Sequence, residues 1–154
     1  RRLPPESRIM ETGGFKAQTR NITKEQLYQS LSTTVGLEPH RIVNEYGMTE
    51  LLSQLYESNL TRPNEIQAGH TPPPWLRVRA LNPTTLEPVA ENETGLLAFF
   101  DLANLGSVCH VLTEDIGRVI GGKVHLEGRF PNAEPRGCSR AMDQLMASNR
   151  GTRR

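Results

Sequence analysis

The sequence predicts an α/β fold in which strand and helix units are followed by a small antiparallel sheet or distorted barrel. In the first part of the chain, short apolar runs alternate with a segment of helical period. From Trp75 onward the apolar period changes to two, and turn residues separate several short strands. A length of 154 residues is enough for one domain with a hydrophobic core of its own.

The first predicted unit is a strand followed by a capped helix. Residues 8–12 form a partly apolar run that stops at Gly13 and Gly14. Thr23 and Gln26 have the spacing of a capping box, which predicts that a helix begins there. The apolar side chains of this helix repeat at helical spacing before Gly36 ends it, and they are Leu27, Leu31 and Val35.

The second predicted unit begins with a strand over residues 41–45. This strand leads directly into the polar turn Tyr46-Gly47-Met48-Thr49-Glu50, after which we expect a short helix over residues 51–56. Residues 58–74 are polar and rich in proline, which lacks an N–H donor, so they predict a long surface loop. His70 lies in that loop and is expected to be exposed to solvent.

The later part of the chain predicts an antiparallel sheet. Residues 75–80 alternate between two faces, as in a half-buried strand. Gly121 and Gly122 predict a hairpin turn, and Thr113-Glu114-Asp115 predicts a tight turn at the end of a strand. Further strands are expected over residues 96–101, 107–113, 118–120 and 123–126, and a weak helix over residues 140–146.

Charge and cysteine content bound the classes of function. A net charge of +1 gives no electrostatic field that would attract nucleic acid or an anionic membrane. No apolar run approaches the roughly 20 residues that span a bilayer, so a cytoplasmic protein is the default expectation. Cys109 lies in an apolar run and is expected to be buried and inert, whereas Cys138 stands between Arg136 and Arg140, which favour its thiolate.

The turn at residues 46–50 combines residue types that suit a ligand. Tyr46 offers a flat face, Gly47 lets the backbone approach closely, Thr49 can donate a hydrogen bond, and Glu50 can hold a divalent cation. Open α/β sheets bind ligands where such turns follow a strand. A purely structural turn is the alternative, and these residues alone leave it open.

Three other segments carry similar signals. Gly13-Gly14-Phe15-Lys16 is a weak phosphate-loop signal, because it lacks the full glycine spacing of a nucleotide fingerprint. Asp115 could accept hydrogen bonds from sugar hydroxyls, and Arg129, after the flexible Gly128, could reach a phosphate or a ribose. An acidic turn and a surface arginine are the alternatives.

Taken in order, these segments resemble the motifs of the adenylate-forming ligase superfamily. Residues 46–50 are similar to its Tyr-Gly-X-Thr-Glu motif, Thr113-Glu114-Asp115 to its Thr-Gly-Asp motif, and Gly128-Arg129 to the Gly-Arg before its hinge. Longer strings narrow the resemblance to the acyl-protein synthetases, the fatty-acid ligase component of bacterial bioluminescence. These strings are residues 44–54, 99–104 and 136–139.

The resemblance implies a two-step reaction that uses ATP and Mg²⁺. A carboxylic or fatty acid is activated as an acyl-adenylate and then transferred to a protein cysteine as a thioester. Cys138 is the residue in the matching position near the C-terminus, and an acyl-accepting or reductase protein is the implied partner. The implied roles within the turn are adenine stacking for Tyr46, binding of the adenylate phosphate for Thr49 and Mg²⁺ binding for Glu50.

The same resemblance assigns the remaining site residues. Asp115 would bind the ribose hydroxyls and Arg129 would contact the nucleotide, while Gly13 and Gly14 would line the adenine and acyl pocket. The sequence departs from the pattern at Glu114, where the motif has Gly, so the geometry of that turn is open.

The phosphate loop of the superfamily has no counterpart in this chain, so we expect a fragment of a larger fold. Residues 1–74 would end the adenylate-binding region, residues 75–130 would form the antiparallel β subdomain, and residues 131–154 a C-terminal tail. We expect the isolated chain to bind nucleotide weakly and not to form adenylate. The alternatives are a non-catalytic binding or subunit-interaction module on the same scaffold, and an acyl-CoA ligase of the phenylacetate type.

Overall fold

The computed structural model of the protein describes residues 2–12, 23–61 and 69–131. Within them it contains a twelve-residue helix and eight strands that form a mixed sheet in the order β1-β2-β3-β4-β8-β7-β6-β5. The strands are β1 Ile9–Thr12, β2 Ile42–Tyr46, β3 Leu55–Glu57, β4 His70–Thr71, β5 Leu76–Leu81, β6 Gly95–Asp101, β7 His110–Ile120 and β8 Lys123–Arg129, and the helix is α1 Lys24–Val35. Some predictions lie outside the described residues: those on Gly13 and Gly14, on Cys138 and on the helix over 140–146.

The first unit has the predicted strand, helix and strand order. β1 and β2 are parallel neighbours and α1 connects them. The capping box is confirmed, since Gln26 N–H donates to Thr23 Oγ1 over 3.3 Å and Thr23 N–H donates to Gln26 Oε1 over 2.9 Å. Gly36 ends the helix in the left-handed conformation, at φ 73°, which glycine adopts without strain.

The antiparallel part of the sheet curls so strongly that its two ends share one core. Five strand intervals separate β2 from β6, which in a flat sheet would place them about 24 Å apart. The rings of Tyr46 on β2 and Phe99 on β6 nevertheless stack with their centroids 5.6 Å apart. The expectation of a small antiparallel sheet or distorted barrel after the strand and helix units is therefore confirmed. The buried apolar core joins the two ends through Leu51, Leu55, Leu76, Ala80, Leu97, Phe99 and Val124.

Asp101, at the end of β6, holds the loop that follows Tyr46. Its Oδ2 accepts hydrogen bonds from the backbone N–H groups of Leu52 and Ser53 over 3.1 and 2.9 Å, and its Oδ1 accepts from Ser53 Oγ over 2.8 Å. Burial of this carboxyl opposes ionisation, but the hydrogen bonds from Ser53, Ala103 and Leu52 outweigh it and lower the pKa of Asp101. A fixed anion thus fastens the loop to the barrel.

Two predictions for the segment after Tyr46 are wrong. No helix forms over residues 51–56, because the Asp101 carboxylate takes the N–H groups of Leu52 and Ser53, and β3 begins at Leu55. His70 is 4% exposed instead of solvent-exposed. It lies on β4, paired with Val124 of β8, within the region predicted to be a surface loop.

The predicted turn at Thr113-Glu114-Asp115 is also wrong. β7 runs unbroken from His110 to Ile120, so the strands expected over residues 107–113 and 118–120 are one element. The hairpin turn that follows is confirmed, because Gly121 and Gly122 both have positive φ, 54° and 77°. Cys109, expected to be buried, is partly exposed. The division at residues 74 and 130 stays a prediction.

Candidate functional site

Three of the candidate side chains meet between β2, β7 and β8. The Tyr46 hydroxyl donates to Asp115 Oδ2 over 2.6 Å. The Arg129 Nε atom lies 3.2 Å from Asp115 Oδ1, across a pair of directly opposed residues on β7 and β8. The structure therefore brings together three of the segments singled out in the sequence, those that contain Tyr46, Asp115 and Arg129. Tyr46 is far from the other two along the chain.

A bulge in β7 places Asp115 at this junction. Leu96 pairs with Ile116 and Ala98 with Leu112, so the three residues 113–115 face the single residue Leu97. Thr113 Oγ1 donates to the Leu97 carbonyl over 2.8 Å and accepts from the Asp115 N–H over 3.1 Å. Bulges re-aim side chains in this way beside functional sites. The local hydrogen bond from the Asp115 N–H to the Thr113 side chain, which is typical of a turn, here forms inside the continuous strand β7.

A second irregularity lies directly opposite, in β8. Ile116 pairs with Gly128 but Gly117 pairs with Leu126, which leaves Glu127 as the extra residue. Gly128 has φ 130°, a conformation that side chains rarely permit. A Cβ at Gly117 would lie 2.4 Å from the His125 carbonyl oxygen, so the strands approach too closely for any side chain there. These glycines let β8 present Arg129 to Asp115.

The surroundings of Tyr46 keep its hydroxyl protonated. Its ring stacks on Phe99 and meets the edge of His70 with centroids 6.3 Å apart. Burial raises the pKa of Tyr46, and the hydrogen bond to the Asp115 carboxylate raises it further. The phenol is therefore a hydrogen-bond donor at neutral pH, and Asp115 is its acceptor.

The rest of the turn lies at the surface. Gly47, Thr49 and Glu50 are exposed, and the Glu50 backbone carbonyl accepts a hydrogen bond from Asn104 Nδ2 over 3.0 Å. Within the described residues, no group of three or more His, Cys, Asp and Glu side chains could hold a metal ion. A single exposed carboxylate nevertheless suits Mg²⁺, which proteins usually hold with one or two carboxylates together with substrate phosphates.

A buried polar cluster behind the turn was missed by the sequence reasoning. Glu57 Oε2 accepts hydrogen bonds from the Tyr28 hydroxyl over 3.3 Å and from Asn59 Nδ2 over 3.3 Å, and Glu57 is paired with Lys24. Burial raises the pKa of Tyr28, with nearby Glu57 as the next cause. The sequence signal was the alternation of Leu55 and Glu57 about an exposed Tyr56, which is a strand pattern with a charge on its buried face.

His70 belongs to the same cluster and bonds to the strand that leads into the turn. Asn44 Nδ2 donates to the backbone carbonyl of Glu11 over 3.3 Å, so Asn44 Oδ1 faces His70 Nε2 at 2.6 Å. The neutral imidazole therefore carries its proton on Nε2. Burial lowers the pKa of His70, and the negative charge of Glu57 offsets part of that effect.

The fold of the chain is one that adenylate-forming ligases share. The chain superposes on McyG A-PCP complexed with phenylalanyl-adenylate with a TM-score of 0.56 at 17% sequence identity, over 84% of this chain and 26% of that one. At this identity the likeness establishes the fold alone. Among the described residues, no helix has both the length and the apolar character needed to cross a membrane.

The chain belongs to the acyl-protein synthetase family, since the family model described as "Acyl-protein synthetase, LuxE" matches residues 2–147. It is 30% identical over 152 residues to a long-chain-fatty-acid–luciferin-component ligase of Aliivibrio fischeri, covering 92% of this chain. It is 29% identical over 149 residues to the protein of the same name from Vibrio harveyi, covering 91% of this chain. The chain spans 38% of the length of each of these relatives. The resemblance inferred from the motifs is confirmed.

Proposed function

We propose that this chain is part of an ATP-dependent acyl-protein synthetase and that Tyr46, Asp115 and Arg129 bind the adenosine of its substrate. The observation that carries the proposal is the contact of these three side chains, which come from three different strands. Each belongs to a motif that adenylate-forming ligases use. A preformed arrangement of this kind costs little ordering entropy when a ligand binds.

The free hydrogen-bonding capacity of Asp115 suits a ribose. An ionised carboxylate offers about four acceptor positions, and Tyr46 and Arg129 occupy one on each oxygen. The remaining positions would accept from the two ribose hydroxyls. The Tyr46 ring, held by stacking on Phe99, would pack against adenine.

The exposed turn would bind the phosphate end of the same ligand. Thr49 would donate its hydroxyl to the α-phosphate, and Glu50 would supply one carboxylate to a Mg²⁺ ion that the ATP phosphates also coordinate. Gly47 would let the backbone approach the nucleotide, and Gly13 and Gly14 would line the adenine and acyl pocket. The ion would neutralise phosphate charge during the reaction.

The proposed reaction has two steps, adenylation of the fatty acid and transfer of the acyl group to a cysteine. A carboxylate oxygen of the fatty acid attacks the α-phosphorus of ATP, and the bond to pyrophosphate breaks. The Cys138 thiolate then attacks the acyl carbonyl, AMP leaves, and a thioester remains on the protein. A thiolate suits this step because it is nucleophilic near neutral pH. An acyl-accepting or reductase protein would take the acyl group, and the reaction would take place in the cytoplasm. Residues 1–74 would end the adenylate-binding region, residues 75–130 would form the antiparallel β subdomain, and residues 131–154 would form the C-terminal tail.

The test is to measure acylation of the full-length protein that contains this chain. After incubation with a labelled long-chain fatty acid, ATP and coenzyme A, we expect label on the protein that hydroxylamine releases. Cys138→Ser should abolish that label, whereas the matched control Cys109→Ser should retain it. Formation of acyl-CoA with unlabelled protein would instead indicate a coenzyme A ligase, and no adenylate at all would indicate a non-catalytic module.

The isolated chain provides a second test. We expect it to bind nucleotide weakly and to catalyse no ATP–pyrophosphate exchange. Exchange by residues 1–154 alone would contradict this part of the proposal.

A further inference from the structure

Two consecutive carboxylates hold the guanidinium of Arg129. Its Nη2 atom lies 2.9 Å from Glu114 Oε2 and its Nε atom lies 3.2 Å from Asp115 Oδ1. Glu114 and Asp115 therefore contact two different nitrogens of the same guanidinium. Glu114 occupies the position at which the superfamily motif has Gly. Because glycine has no carboxylate, a chain that follows the motif could not make this contact with the arginine.

The β7 bulge makes this double contact possible. Adjacent residues on a regular strand point to opposite faces of the sheet, so one arginine could not reach both carboxylates. Here residues 113–115 are displaced from the regular register with β6. The Phe130 N–H donates to the Glu114 carbonyl over 2.7 Å, which holds the backbone of Glu114 against the end of β8 beside Arg129.

We propose that Glu114 is a positioning residue that acts through Arg129 on Asp115. An arginine side chain has many rotamers, but its guanidinium is a rigid plane. Once Nη2 is held by Glu114, the plane directs Nε to Oδ1 of Asp115, while Oδ2 remains with the Tyr46 hydroxyl. The orientation of the Asp115 carboxylate is thus set from both sides. The consequence for nucleotide binding rests on the proposed function, whereas the orientation of Arg129 does not.

The chain provides a matched control for this ion pair. Glu127 pairs with Arg118 at 2.5 Å between the same two strands, with a similar side-chain exposure of 31% against 44% for Glu114. The control variant Glu127→Gln therefore removes the charge of a cross-strand ion pair that does not contact Asp115. Glu127 Oε2 also accepts a hydrogen bond from Thr94 Oγ1 over 2.8 Å, which the amide oxygen of a glutamine can keep. Glu114→Gln keeps the length of the side chain and removes only its charge.

The first measurement is made without nucleotide, on the ¹⁵N-labelled chain. We expect hydrogen exchange of the Arg129 Nε–H, assigned by its loss in Arg129→Lys, to speed up about fivefold in Glu114→Gln, the size of an exposed ion-pair contribution. Glu127→Gln should leave that rate unchanged. Equal exchange rates in the wild type and Glu114→Gln would overturn the proposal, whatever the function of the protein.

The second measurement is a calorimetric titration with AMP of the wild type and the variants. Glu114→Gln should raise the Kd for AMP about fivefold, Glu127→Gln should not, and Glu114→Gln should have no further effect in an Arg129→Gln background. If Asp115→Asn weakens AMP binding but Glu114→Gln does not, the positioning role is wrong and the site stands. If Asp115→Asn leaves AMP binding unchanged, the proposed site is wrong, and the exchange measurement alone decides the role of Glu114.

Discussion

The hydrogen bond from Tyr46 to Asp115 provides the most direct test of the site. Tyr46→Phe removes one oxygen atom and keeps the ring that stacks on Phe99. Because the change creates no apolar cavity, its effect on stability isolates the 2.6 Å hydrogen bond that joins β2 to β7.

The expected loss of stability follows from the surroundings of the bond. A hydrogen bond to a charged group contributes about 1.5 to 3 kcal/mol. The Asp115 side chain is 22% exposed and keeps its contact with Arg129, so water can replace part of what the hydroxyl supplied. We therefore expect Tyr46→Phe to lower the free energy of unfolding by about 1 to 1.5 kcal/mol.

The assay is urea unfolding of the wild type, Tyr46→Phe, Asp115→Asn and the double variant. The coupling free energy between the two sites should be about 1 kcal/mol, because the two side chains are in contact. Unchanged m-values would show that the variants do not alter the extent of unfolding. Strictly additive effects would refute the reasoning, since they would mean that Tyr46 and Asp115 do not stabilise each other in solution.

Three further changes test the elements that build the site. Asp101→Asn should lower the free energy of unfolding by about 3 kcal/mol, because it removes a buried anion that accepts backbone N–H groups; its folded pKa is lowered, so the wild type should lose this stability as the pH falls through that pKa and the variant should not. Gly117→Ala should cost about 2 kcal/mol or more because its Cβ would meet the His125 carbonyl oxygen, whereas Gly106→Ala, which meets nothing within 4 Å, should cost far less; equal effects in thermal unfolding would contradict the close approach of the strands. His70→Gln should flatten the pH dependence of stability below about pH 6.5, since burial lowers the pKa of His70 and the unfolded chain binds that proton more readily; an unchanged pH profile of urea unfolding would show that His70 is not buried in neutral form.

The sequence could predict those features that local chemistry controls. The capping box at Thr23 and the hairpin at Gly121 and Gly122 depend on residues close together in the chain, and both are confirmed. The family resemblance is also confirmed. A motif is recognised from the order of its residues, so this prediction did not require any knowledge of the contacts that those residues make. The wrong predictions concern segments whose structure depends on residues far away in the chain. The Asp101 carboxylate accepts the N–H groups of Leu52 and Ser53, so the predicted helix does not form, and pairing with β8 buries His70.

The sequence by itself determined the family of this protein, the order of its motifs and the residue types that could bind an adenylate. Only the tertiary structure decided that Tyr46, Asp115 and Arg129 touch, because their contact depends on a sheet that curls and on two opposed bulges. Thr113-Glu114-Asp115 has the composition of a turn, and as a turn it could not hold these partners. In the curled sheet the same three residues form a bulge within the continuous strand β7, and from there the side chains of Glu114 and Asp115 both contact Arg129.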